Sequence, residues 1–162
     1  MNSTKTGNIK DRGFLRTGFI MASFELVFLV IQFLVGMYVN LFVALPHSLS
    51  FLGMMGFMGV YSGFTFVMVH MMIGILVGLT SIGILFVSLF SGRFNMSILS
   101  ISLLLSIILA GVNGLIFVFD GQNNINSYLM SIGFILAVIF DVMIMSNSKS
   151  EVNLAVSNTH VN

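Results

Sequence analysis

Cysteine is absent from this chain, proline occurs once, and charged side chains make up only 7% of its 162 residues. Each shortage excludes something. Without cysteine there are no disulfides, thiolate metal sites, iron–sulfur clusters or cysteine nucleophiles. With about 25% charged residues expected of a soluble domain, so small a share cannot coat a water-exposed surface. A net charge of +1 gives no electrostatic basis for a nucleic-acid partner.

What the chain has instead is apolar length. Hydrophobic residues make up 57% of it, and the mean hydropathy is +1.09. From Ser62 to Phe90 the only ionisable side chain is the imidazole of His70. About 20 apolar residues, rising about 1.5 Å each, cross the hydrocarbon core. That run therefore reads as a membrane-spanning helix.

The composition along the chain divides it into one transmembrane domain with polar ends. Residues 1–16 form a basic cytoplasmic N-terminal segment with Lys5, Lys10, Arg12 and Arg16. A first helix is expected over 17–45, too long for a cleaved signal peptide and ended by Pro46. Residues 46–61 read as a glycine-rich outer loop, interfacial or re-entrant, with Gly53, Gly56 and Gly59. Further helices are expected over 62–90, 95–118 and 127–145, separated by the polar turns around Arg93 and Asp120-Gly121. Residues 146–162 are polar, without apolar periodicity, and are expected to be a disordered tail.

The fold class is thus an all-α integral membrane protein, a four-helix transmembrane bundle spanning 17–145. With four spans, all six Lys and Arg residues fall on the side of the termini and the Arg93 turn. The positive-inside rule then places both termini in the cytoplasm, which makes this a multi-pass protein of the cell membrane.

Each expected helix carries one small or polar stripe. Glu25, Gln32, Gly36 and Asn40 share a face of the first; Gly63, His70, Gly74, Gly78 and Ser81 share one of the second. Ser102, Ser106, Ala110 and Asn113 follow in the third, and Gly133, Ala137 and Asp141 in the fourth. Small residues allow close approach in lipid and polar groups turn away from hydrocarbon, so these stripes are expected to face inward. Depth counting places His70 and Asn113 in the outer half, Asn40 farther out, Gln32 near the centre, and Glu25 and Asp141 in the inner half.

His70 is the leading candidate for chemistry. It can be a neutral imidazole bonded to Asn113 or a backbone carbonyl, an axial ligand of haem b, or a metal ligand. As a haem ligand it would need a second ligand from His47 or from Met54, Met55 or Met58. Copper held by His47, His70 and these methionines is the metal alternative. Glu25 and Asp141 are either interfacial carboxylates or members of a proton path through Gln32 and the helix-3 serines. No hydrolytic, nucleotide or zinc-protease motif is present, so an enzyme is not expected.

Three functions are compatible with this pattern. The first choice is a non-catalytic accessory subunit of a larger membrane complex, such as a respiratory assembly, bound to lipid and to other subunits or to itself. The second is a b-type haem-binding or quinone-interacting electron-transfer protein using His70. The third is a small proton-linked transporter or channel.

Overall fold

The computed structural model describes residues 3–44, 63–120 and 122–157, and among them all regular structure is helical. The helices are α1 (Ser3–Phe42), α2 (Phe64–Phe90), α3 (Phe94–Phe119) and α4 (Asn124–Ser157). Each contains a stretch long and apolar enough to cross a membrane: Gly13–Phe42, Phe64–Phe90, Phe94–Phe119 and Asn124–Lys149. The protein is a multi-pass membrane protein. The glycine-rich segment 46–61, with His47 and its methionines, lies outside the described residues.

Helix α1 packs on α2 and α4, and α3 packs on the same two, which closes a ring without diagonal pairs among the described residues. Every neighbouring pair is antiparallel. Between α1 and α2, Val43 meets Gly63, Gly36 meets His70, and Met21 meets Gly83. Between α1 and α4, Phe33 stacks on Phe134 with ring centroids 5.0 Å apart, and Gly18 lies near Ser148. Gly133 touches α3 closely: a Cβ there would lie 2.8 Å from the backbone of Ser106 and Ala110. The expected stripes do face inward, with Glu25, Ser81, Ser106, Asn113, Ala137 and Asp141 buried. Gly78 differs. A Cβ there would meet nothing within 4 Å, so it is not a point of close approach.

The turns are built locally. After α2, Gly92 takes φ +67°, a left-handed conformation that costs glycine little and closes a helix C-terminus. After α3, Gln122 adopts φ 64°; its side-chain Nε2 donates to the Val43 carbonyl at 2.6 Å. That bond ties the α3–α4 turn to the end of α1. The Asn123 side chain accepts from the Ile125 N–H at 3.0 Å, so α4 starts at Asn124 rather than at 127.

The largest differences from expectation lie at the ends. Helix α1 begins at Ser3, and α4 continues to Ser157 through the segment expected to be a disordered tail. The physical reason is cooperativity. A polar segment too weak to nucleate a helix adds turns to one already formed, because propagation needs no new nucleus. No proline interrupts either extension.

Two apolar clusters hold the bundle. One joins Val39, Val43, Phe64, Val67, Phe117 and Val118 at the end where α1 finishes. The other draws on all four helices, with Ala22, Leu29, Val77, Ile84, Leu103, Ala137 and Ile144 among its members. Arg16, Arg93 and Lys149 lie toward the opposite end from the first cluster.

Candidate functional site

Between the two clusters is a cavity of about 550 Å³ with walls from all four helices. His70, Gln32, Gly36 and Gly74 line one side, and Ala110, Gly111 and Met130 line the other. Its polar centre is a side-chain pair: Gln32 Nε2 lies 3.2 Å from His70 Nε2. The two glycines make this possible. A Cβ at Gly36 would come within 2.7 Å of His70 Cε1, and one at Gly74 within 3.1 Å of Gln32 Nε2. The α1 backbone is therefore laid directly against the imidazole, and the α2 backbone against the glutamine amide.

The pair leaves groups over. His70 Nδ1 and Gln32 Oε1 are buried, and neither has a hydrogen-bond partner among the described residues. Buried polar groups are bonded in the great majority of cases, so these two atoms mark an incomplete site.

One helical turn deeper is a second polar level. The cavity floor includes Leu29, Val77 and Ala137; four residues along each of these helices lie Glu25, Ser81 and Asp141. The antiparallel register sets these at one level of the bundle, with Asp141 and Ser81 near Glu25. Both carboxyl groups are fully buried, with 0% exposure, and none of their four oxygens has a hydrogen-bond partner among the described residues. Ser81 itself donates to the Val77 carbonyl at 2.9 Å. Farther along, Ser148 is also fully buried, its hydroxyl without a partner among the described residues.

The sequence-derived candidates thus separate. Gln32 joins His70, and Asn40 also lines the cavity. Asn113, expected to bond His70, instead donates to the Leu109 carbonyl of its own helix at 2.8 Å. An asparagine in a helix always has that carbonyl within reach four residues back, whereas a partner on another helix depends on register. The serines of α3 are similarly occupied: Ser100 donates to Met96 O and Ser106 to Ser102 O, each at 2.8 Å. They do not form a chain toward His70. Glu25 and Asp141, expected near the interface or on a proton path, are both buried inside the bundle. Sequence reasoning missed that Glu25 and Ser81 would lie near one another, a proximity whose only signal was membership of the inward stripes.

The described site does not fit haem. The imidazole Nε2 is engaged by Gln32, and the α1 backbone at Gly36 covers the ring where a macrocycle would have to lie. Nor do three or more His, Asp or Glu side chains gather in a metal-binding group among the described residues. His47 and the loop methionines lie outside the described residues.

Comparison with models of protein families, with curated proteins and with solved structures finds no match.

Proposed function

We propose that this chain is a small proton-linked transporter of the cell membrane, with both termini cytoplasmic and Glu25 and Asp141 as its proton-carrying pair. The observation that carries the reading is the acid pair itself: two fully buried carboxyl groups, from α1 and α4 at one level of the bundle, without hydrogen-bond partners among the described residues. An ionised carboxylate held among apolar helices costs several kcal/mol unless something compensates it. A proton on each carboxyl group removes that cost, and intramembrane carboxylates of this kind are a usual feature of proton relays. The cavity with His70 and Gln32 lies one turn away on one side, and the basic ends of the helices lie on the other.

The positive residues support the orientation. Lys5, Lys10, Arg12, Arg16, Arg93 and Lys149 all belong to the end that holds the termini and the α2–α3 turn, and that end faces the cytoplasm by the positive-inside rule. In this arrangement the cavity is on the outer half and the acid pair on the inner half.

An accessory role in a larger membrane complex draws on small size and on the lack of charge for a soluble surface. The transport reading draws in addition on the acid pair, and is preferred for that reason. The deciding experiment is proton flux into liposomes that hold the purified protein and an internal pH dye, driven by a pH gradient. Flux above protein-free liposomes, lost in Asp141→Asn and in Glu25→Gln, is the expected result. Wild-type flux equal to that of empty liposomes overturns the reading and returns attention to proteins that copurify from the native membrane.

A further inference from the structure

We infer that the seam between α1 and α4 at the basic end of the bundle binds an anionic phospholipid, its headgroup phosphate held between Arg16 and Lys149. The first observation is the placement of charge. Six Lys and Arg residues belong to the end with the termini and the α2–α3 turn, against the two carboxylates Asp11 and Glu151. The opposite end carries no Lys or Arg and the single carboxylate Asp120. So uneven a distribution favours negatively charged headgroups at the basic end.

Two of these cations are placed as a pair. Gly18 of α1 lies beside Ser148 of α4, where a Cβ would come 3.8 Å from the serine hydroxyl oxygen. Arg16 is two residues outward of Gly18 and Lys149 one residue outward of Ser148, so they stand at one depth to within a helical turn. Their direction follows from the Phe33–Phe134 stack, which marks the line of contact between the two helices. With about 3.6 residues per turn, Arg16 stands about 100° around α1 from Phe33, and Lys149 about 60° around α4 from Phe134. In each helix the rotation leads away from the buried side, where Gly18 and Ser148 lie, and both cations are exposed. They flank one groove from its two sides.

Depth and chemistry specify a lipid. The apolar span of α1 starts at Gly13 and that of α4 ends at Lys149, so both long side chains reach the boundary where phospholipid phosphates lie. The guanidinium can hold two phosphate oxygens at once, and the ammonium adds a second positive charge. Farther in, the same seam is apolar, with Val30 of α1 and Val142 of α4 about half exposed beside it, a surface for an acyl chain. Lys5 and Arg12 precede Arg16 by eleven and four residues, spacings that return to one helical face, and α1 is helical from Ser3. Glu25 and Asp141 lie seven residues farther in than Gly18 and Ser148 on the same two helices. A phosphate bridging Arg16 and Lys149 therefore joins the pair of helices that supplies the acids. Stimulation of proton flux by the lipid rests on the proton-transport reading; its binding does not.

The test is native mass spectrometry of the full chain in detergent, titrated with phosphatidylglycerol or with phosphatidylcholine of the same acyl chains. Phosphatidylglycerol is expected to bind roughly tenfold more tightly, as two cations on one phosphate group dictate. Arg16→Gln and Lys149→Gln should each lower its affinity about fivefold, the usual effect of one cation near a lipid surface. Lys10→Gln removes the same charge but stands off the face of α1 that carries Arg16, and should lower it by less than about twofold. Phosphatidylcholine affinity should be unchanged in all three.

Equal affinity of the wild type for the two lipids overturns the inference. A preference for phosphatidylglycerol that falls by the same factor in all three variants overturns the site at the seam and leaves attraction by net charge alone. Because binding requires no flux, a protein that prefers phosphatidylglycerol as expected yet moves no protons overturns the transport reading alone. A protein that moves protons but binds both lipids equally overturns the lipid site alone.

Discussion

The polar groups inside this bundle fall into two regions that obey different rules. Near the α2–α3 turn, Ser88 and Ser100 share a hydrogen bond across the two helices, Ser100 also donates to Met96 O, and Ser91 donates to Ser88 O at 2.7 Å. Ser97 adds bonds to Arg93 O and Ser88 O. Every one of these hydroxyls has a partner, and the buried Ser148 hydroxyl near Gly18 is the one at this level that has none among the described residues. Two turns or more away, Glu25, Asp141, His70 and Gln32 keep atoms without one among the described residues. In lipid, where water cannot supply the missing bond, the first pattern joins helices and the second retains chemistry. The contrast separates polar residues that hold the bundle from those that work in it.

That separation is open to challenge by substitution, beginning with the largest effect. Gly133→Leu should destabilise the bundle by several kcal/mol, because its side chain would meet the α3 backbone at Ser106 and Ala110. Thermal unfolding in detergent measures it, and a stable variant would show that the α3–α4 contact is not as tight as described. Glu25→Gln combined with Asp141→Asn should leave the fold intact, since neutral amides of the same size replace acids that are neutral once protonated. The same double variant should reduce proton flux at least tenfold. If it instead unfolds the protein while leaving flux per folded molecule unchanged, the acids belong with the structural serines and the contrast fails.

Smaller effects sharpen the comparison. Gly36→Ala should displace the imidazole, because the new methyl group lies 2.7 Å from His70 Cε1. A moderate loss of stability, about 1–3 kcal/mol, should accompany an altered His70 resonance in NMR spectra. Ser100→Ala removes a single interhelical hydrogen bond, for which about 0.6 kcal/mol is the usual magnitude in a membrane protein. Flux should be unaffected. A large loss of flux in Ser100→Ala would move that serine into the working set.

Much of this architecture was legible in the residues. The apolar lengths require four spanning helices, because no other open-ended element satisfies its backbone in hydrocarbon. The inward direction of the Glu25, Ser81 and Asp141 faces follows from helical periodicity and the cost of polar groups in lipid. The helical extensions to Ser3 and Ser157 were not legible, since polar segments carry little signal of their own and borrow a nucleus from the neighbouring span.

Only the tertiary structure decided who meets whom. Periodicity gives a residue its face but not its partner, because antiparallel helices can slide past one another by a turn without changing which side is buried. The Gly36–His70 and Gly18–Ser148 contacts set that register. With it, Gln32 rather than Asn113 reaches the imidazole, and Glu25 comes to lie against Ser81 and Asp141. The cavity has the same origin. Gly111 and Gly133 look alike in sequence, yet one opens onto empty space and the other presses on a backbone. That difference arises from where neighbouring helices stand, which no local pattern of residues encodes.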